Sequence, residues 1–275
     1  MSSTTNTKLL PSSELSTTEL VRDPGGVERT SALDHEKGRV VGASLLCYCV
    51  DPMWGRLYFL LGKERKNTRW PGGSERWSDF GGRTASRNED PEETAAREFW
   101  EESMAMVRYF DEDTVPRTEY QDIADSLRRG EFTFQFTLGF GYENKPRSYV
   151  TFVKQVPWDP HGLYRFRQSR DMLMNASLHY GGDRWDAMLS HHPGVREVTT
   201  SPSGGKTIQV RKDFLEKKSI GLWSVPQLQH AVEFDGVMSS RNGRVERCRP
   251  MFTGFLELLL SELSFYCPET VQETV

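Results

Sequence analysis

The sequence predicts an α/β protein in which helices cover a mixed sheet, and three observations carry that expectation. Two pairs of β-rich runs read as hairpins: 39-RVVGASLLCYCV-50 with 56-RLYFLLGKER-65, and 131-EFTFQFTLGF-140 with 149-YVTFVKQV-156. A helix stands between them, opened by Pro91 behind the capping residue Asp90. After them come a strand at 220-IGLWSV-225, a helix started by Pro226, and the amphipathic helix 250-PMFTGFLELLLSEL-263. Strands, helix, strands, helix, helix is the order of a mixed sheet with helices packed against it.

Each element has a local reason. Residues 1–35 are rich in Ser and Thr and are expected to be a flexible tail, so the ordered domain is placed at 36–275. Asp51, Pro52 and Gly55 supply the first turn. A polar loop, 66-KNTRWPGGSER-76, leads into 77-WSDFGGR-83, and the helix from Pro91 is expected to reach about Val107. The three phenylalanines of 131–140 alternate at period 2, as on a half-buried strand, and 142-YENKP-146 turns the chain back. The Pro-, Gly- and His-containing interval 157–211 reads as an insertion before the closing strand, with a helix near 168–179.

A chain of 275 residues that is 36% hydrophobic, with 15 Phe, 9 Tyr and 7 Trp, buries a core of its own. The formal charge of −4, from 35 basic and 39 acidic residues, implies no global polyanion-binding surface and leaves room for local basic patches. Cys47, Cys49, Cys248 and Cys267 form no CxxC pair, so reduced, buried thiols are expected. They suit a cytoplasmic or nuclear protein. No apolar run reaches the roughly 18–20 residues of a membrane span. Glu14 and Glu19 weigh against an organelle transit peptide.

The chemistry is expected in 97-REFWEES-103. On a helical wheel Glu98, Glu101 and Glu102 share one narrow face, while Ala95, Ala96, Phe99 and Met106 fall opposite. An acidic helix face is ordinarily just solvated. Here a Gly-Gly loop precedes the helix and Arg97 adjoins the cluster as a fixed counter-charge. Oxygen-only ligands at this spacing suit Mg²⁺ or Mn²⁺.

The segment 82-GRTASRNEDPEETAAREFWEESMA-105 resembles the Nudix hydrolase signature, G-x5-E-x7-R-E-U-x-E-E-x-G-U, with U a bulky apolar residue. Glu89, seven residues, then Arg97-Glu98-Phe99-Trp100-Glu101-Glu102 match at every specified position. The chain departs twice: six residues separate Gly82 from Glu89, and Met104 and Ala105 stand where the family has its second glycine and the following bulky residue. The approach to the signature, 58–82, and the segment 214-FLEKKSIGLWSVPQLQHAV-232 are also similar to the family.

The resemblance implies a Nudix α/β/α sandwich and hydrolysis of a diphosphate linkage with a divalent ion. It implies that Glu98, Glu101 and Glu102 bind the ion, with one of them able to accept the proton of the attacking water. Arg97 orients the glutamates, Glu89 is a supporting or additional ligand, and a backbone carbonyl at Gly81 or Gly82 completes the shell. Glu216 is the candidate for a further catalytic carboxylate. Arg65, Lys66, Arg69 and Arg83, with Lys63, are candidates for substrate phosphates, and Trp70, Trp77 and Trp158 for stacking a base. The substrate expected is a nucleoside diphosphate-linked small molecule. Capped RNA, a diphosphoinositol phosphate, or a Nudix-fold binding module without turnover are the alternatives. A P-loop in 200-TSPSGGKT-207 is rejected because Thr200 stands where the first glycine is required.

Overall fold

The structure, a computed structural model, describes residues 19–21, 39–67, 72–111, 119–140, 147–176, 192–200, 206–240 and 242–266. In chain order the elements are β1 (Glu19–Val21), β2 (Arg39–Val50), β3 (Leu57–Glu64), β4 (Trp77–Ser78), β5 (Phe80–Arg83), α1 (Pro91–Glu102) and α2 (Tyr120–Arg128). There follow β6 (Phe134–Phe140), β7 (Arg147–Gln155), α3 (His161–Ala176), β8 (Val195–Thr200), β9 (Lys206–Val210) and β10 (Lys217–Ser224). The last are α4 (Val225–Glu233), β11 (Val237–Ser239), β12 (Val245–Arg247) and α5 (Pro250–Tyr266).

Eight strands make one sheet, in the order β1-β6-β7-β2-β3-β10, with β4 against β3 and β5 against β2. The β2–β7 pair is parallel and its other pairings are antiparallel, so the sheet is mixed. Alternation along β2 divides the core. Leu45, Cys47 and Cys49 face Phe99, Ile123 and Phe166 of α1, α2 and α3, while Leu46 and Tyr48 face the side covered by α4 and α5. Period 2 in a strand sends neighbours to opposite faces, and here both faces are covered, which gives the expected α/β/α sandwich. Cys47, Cys49 and Cys248 are free, buried thiols; Cys267 lies outside the described residues. No helix among the described residues is long and apolar enough to cross a membrane.

Both expected hairpins form, Val50 opposite Leu57 and Phe140 opposite Arg147; the turn 142–146 lies outside the described residues. Several boundaries move. Helix α1 stops at Glu102 rather than near Val107, because Met104 and Ala105 turn left-handed (φ 59° and 55°) and the Ala105 N–H closes onto Trp100 O at 2.8 Å. Met106 therefore lies beyond the helix. Gly81 and Gly82 are not in a loop: they are ladder residues of β5, opposite Ser44 and Ala43. The helix placed at 168–179 starts earlier, at His161. The tail contributes the edge strand β1, Leu20 opposite Phe136, so the boundary at 35 is not where pairing begins; 1–18 and 22–38 lie outside the described residues. Helix α2 and the two small hairpins β8–β9 and β11–β12 were not anticipated. A strand, β9, follows the P-loop-like stretch, where a P-loop needs a helix.

The described parts of 157–211 pack onto the rest of the domain. Arg170 of α3 donates from Nε to Lys217 O at 3.3 Å, and His192 stands edge-on to Phe214. Buried His192 accepts the Gly194 N–H at Nδ1 (2.9 Å) and contacts Ser169 Oγ through Nε2. Burial pushes its pKa down to about 4. The unfolded chain takes up this proton near pH 6.5 and the fold does not, so the stability it contributes is present above about 6.5 and is lost as pH falls toward 4. Between pH 7 and 4.5 wild type is expected to lose about 2.5 kcal/mol more than His192→Asn, read as the difference of two urea-denaturation series across that range.

Candidate active site

Helix α1 is aimed by its two ends and its apolar side. The Glu93 N–H donates to Asp90 Oδ1 at 2.7 Å, and Pro91 occupies the first turn, where no N–H is needed. Ala95, Ala96 and Phe99 are buried, with Phe99 edge-on to Phe80 of β5 at 5.3 Å. This fixes the rotation of the helix, and Glu98, Glu101 and Glu102 then face β5 and the segment that leads into β10.

Arg97 ties the group together. Its Nε donates to Glu89 Oε1 (2.8 Å), Nη1 to Glu98 Oε1 (2.8 Å) and Glu101 Oε2 (3.2 Å), and Nη2 to the Arg83 carbonyl (3.1 Å). A planar guanidinium with five N–H donors suits such a fan; an ammonium does not. Glu98 lies on Gly82: a Cβ there would come within 2.5 Å of Glu98 Oε1 and 2.7 Å of Oε2, so only glycine leaves room for the carboxylate. Glu101 also pairs with Arg211. Glu102 accepts the Gly81 N–H at Oε2 (2.9 Å) and pairs through Oε1 with Lys217 Nζ (3.2 Å). Lys217 Nζ also donates to Glu64 Oε1 (2.6 Å), which pairs with Arg249 at 3.3 Å.

Burial dominates the electrostatics. It pushes the Glu98 carboxyl up to about 7, against the pull of Arg97, and it also raises Glu101 and Glu102 against the pull of Arg97 and Lys217 respectively. Burial would lower Lys217, but Glu102 and Glu64 outweigh it and hold the ammonium charged. Glu89 is the exception: burial works upward, but Arg97 and the Ala85 N–H bring it below the usual range.

The structure thus gathers Gly81, Gly82, Glu89, Arg97, Glu98, Glu101 and Glu102 in one place. Glu216 stands at its edge, exposed along its side chain; its carbonyl accepts the Arg65 N–H at 2.8 Å, and its carboxyl is raised by the partial loss of solvent around it and then by Glu64. Arg65, Lys66 and Arg83 have exposed side chains. Lys63 points to the other face of the sheet, pairing with Glu246 over the Trp77 ring, and so is not a phosphate ligand of this site. Trp77 packs edge-on to Trp223 at 5.0 Å and Trp158 against Tyr58 at 5.6 Å, so both serve the cores rather than stacking a base. Arg69 and Trp70 lie outside the described residues.

Sequence reasoning missed Glu64, Arg211, Lys217 and Arg249. Glu64 was legible: it shares the period-2 face of Tyr58 and Leu60. Lys217 was not, because the register of β10 against β3 shifts between Lys217 and Ser219 and breaks the alternation that would have assigned its side.

Among the described residues no three carboxylate, imidazole or thiolate side chains converge on a single point as they stand. The donor set nevertheless fits a hard divalent cation. It is oxygen-only, and the carboxylates Glu64, Glu89, Glu98, Glu101, Glu102 and Glu216 outnumber the cations Arg97, Arg211, Lys217 and Arg249. Burial holds the Glu98 carboxyl raised even beside Arg97. Arg97→Lys keeps the charge and loses the fan, and is expected to lower stability by about 2–4 kcal/mol in urea denaturation.

No protein-family model matches the chain, and no curated protein does. It is similar to solved structures of Nudix proteins. An Ap4A hydrolase of C. elegans in a binary complex is 12% identical over 82% of this chain and 96% of that one, with a TM-score of 0.35. The NUDIX domain of Shewanella oneidensis NrtR complexed with ADP ribose is 8% identical over 83% and 90%, with a TM-score of 0.36. A mutT/nudix family protein from Listeria innocua is 15% identical over 84% and 97%, with a TM-score of 0.35.

Proposed function

We propose that the chain is a Nudix-type hydrolase that cleaves the diphosphate of a nucleoside diphosphate-linked substrate with Mg²⁺ or Mn²⁺. The observation that carries this reading is the Arg97 fan, which holds Glu89, Glu98 and Glu101 beside the Gly81–Gly82 strand. Glu98 and Glu101, with the Gly82 carbonyl and with Glu89 or Glu102 in support, would hold the ion. A bound divalent ion supplies charge neutralisation for the phosphates and activation of the attacking water. The chain's own residues position both. Glu98 is the carboxylate placed to receive the proton of that water: its side chain is 14% exposed, against 6% for Glu101 and 3% for Glu102. Glu216 stands further out, where it can hold a second water. Arg65, Lys66 and Arg83, all exposed, are the candidates to meet the phosphates.

One observation favours the reading without turnover: Glu98, Glu101 and Glu102 each already face a protein cation. A single comparison separates the two. Wild type and Glu98→Gln are assayed with Mg²⁺ and with Mn²⁺ on a nucleoside diphosphate sugar, ADP-ribose, a dinucleoside polyphosphate, capped RNA and a diphosphoinositol phosphate. The hydrolase reading expects turnover by wild type on the nucleotide substrates and a loss of at least about 100-fold in Glu98→Gln at unchanged melting temperature. Wild type inert toward the whole panel overturns it in favour of a binding module.

A further inference from the structure

Of the described cations that face the buried carboxylates, Arg211 is the most open to solvent. Its side chain is 32% exposed, against 26% for Arg249, 19% for Arg97 and none for Lys217. Its backbone is held and its head is not. The Arg211 N–H donates to Gly194 O at 2.8 Å, and the turn that follows packs through Phe214 against Trp100. The guanidinium lies over the Phe214 ring at 4.9 Å, and a single nitrogen, Nη2, meets both Glu101 Oε1 and, at 3.6 Å, Asp213 Oδ2. Among the described residues Nε and Nη1 donate no hydrogen bond. A guanidinium carries five N–H groups in a planar fork, so most of its donors stand unused. Glu101 is engaged on both oxygens, Oε2 by Arg97 and Oε1 by Arg211. A divalent ion that takes Glu101 must displace one of the two. Arg97 is the harder to move, because it also holds Glu89, Glu98 and the Arg83 carbonyl. Arg211 has an exposed carboxylate, Asp213, and solvent beside it, so Arg211 is the one that yields.

We propose that Arg211 is a substrate-phosphate ligand kept in reserve on Glu101: a divalent ion displaces it, and the freed guanidinium takes the diphosphate bound beside that ion. This deepens the hydrolase reading and rests on its assignment of Glu101 to the ion. The planar fork that answers a carboxylate in the ion-free protein matches two phosphate oxygens equally well. A phosphate bound to an ion on Glu101 lies next to the place the guanidinium leaves, and the Phe214 ring offers the cation a flat rest beside it. Charge stays balanced through the exchange. Without the ion, Arg211 answers Glu101; with it, the ion answers Glu101 and the phosphate answers Arg211. The same exchange accounts for how a carboxylate that already faces two protein cations admits a metal.

The test is calorimetry on the full chain, first with Mn²⁺ alone and then, at saturating Mn²⁺, with a non-hydrolysable methylene analogue of ADP-ribose as the probe. Arg211→Ala is expected to bind Mn²⁺ at least threefold more tightly than wild type, because the ion no longer competes with a guanidinium for Glu101, and to bind the analogue at least tenfold more weakly. A merely structural role does not give opposite signs, since a loosened turn weakens both. Arg211→Lys still answers Glu101 but lacks the fork; it is expected to keep Mn²⁺ affinity within twofold and to weaken the analogue at least threefold. Lys212→Ala removes the same charge from the exposed neighbouring residue and is expected to change neither affinity by more than twofold. Unchanged or weaker Mn²⁺ binding in a folded Arg211→Ala overturns the inference, and so does the same gain from Lys212→Ala. Undiminished affinity for the analogue overturns it too, as does a wild type that binds Mn²⁺ but not the analogue. Where Arg211→Ala does not fold, Arg211→Lys decides by its affinity for the analogue. A wild type that binds no Mn²⁺ overturns both readings. The hydrolase reading fails separately: both Arg211 effects, in a protein that turns over nothing in the substrate panel, sink that reading and keep Arg211 as a phosphate ligand.

Discussion

Carboxylates are buried along one side of α1, and the rest of the structure is arranged to make that tolerable. An isolated buried carboxylate costs several kcal/mol, and neighbours of like charge add to it. Glu101 and Glu102 sit in the last helical turn, with no basic residue beside them in that turn, where the helix dipole disfavours negative charge by about another 0.3–1 kcal/mol each. Arg97 can offset only part of this. It answers Glu89, Glu98 and Glu101 but does not reach Glu102.

The missing charge comes from far along the chain. Arg211 and Lys217 bracket the short 3₁₀ turn Lys212–Leu215, and Phe214 in that turn packs edge-on to Trp100 of α1 at 5.1 Å. Apolar packing on one side of the turn thus presses two cations against Glu101 and Glu102 on the other. Leu173 packs in the same core as Phe214, and His192 stands edge-on to it, so the interval 157–211 supports the same turn. A segment with no obvious place in the domain is tied in this way to the carboxylates, though it supplies none of them.

What was legible in the sequence followed local rules. Asp90 and Pro91 marked the helix start because capping depends on adjacent residues, and the hairpins showed in period-2 runs. The spacing of Arg97, Glu98, Glu101 and Glu102 reported one helix face. What was illegible depended on partners distant in sequence. The ladder of β5 on β2 makes strand residues of Gly81 and Gly82, and nothing in the dipeptide announces Ser44 and Ala43 opposite. The irregular register of β10 turns Lys217 inward against the expectation that lysine is exposed. Helix α2 has a strong apolar side, Ile123, Ala124 and Leu127, but its N-cap Glu119 makes no side-chain hydrogen bond, so the start signal was weak.

The end of α1 shows the cost of this arrangement in the backbone. Two consecutive non-glycine residues, Met104 and Ala105, adopt left-handed conformations, each unfavourable by about 1–2 kcal/mol. Met104 is fully buried, so its side chain recovers in the core part of what its backbone loses. The strained turn has a geometric consequence. It stops the helix directly after Glu102, so the carboxylate that meets Lys217 belongs to the last residue of α1, and Ser103 closes the end with its N–H directed to Phe99 O at 2.9 Å. Continued to Val107, the helix would have carried its next turn through the space where the chain now folds back beside α3, whose Arg165 donates to Met106 O at 3.1 Å. Strain at Met104 and Ala105, buried charge at Glu102 and a lysine enclosed in β10 are three departures from local preference within one small region. Local preferences give way where several groups must be held against one another, and here those groups are the carboxylates and the cations that answer them.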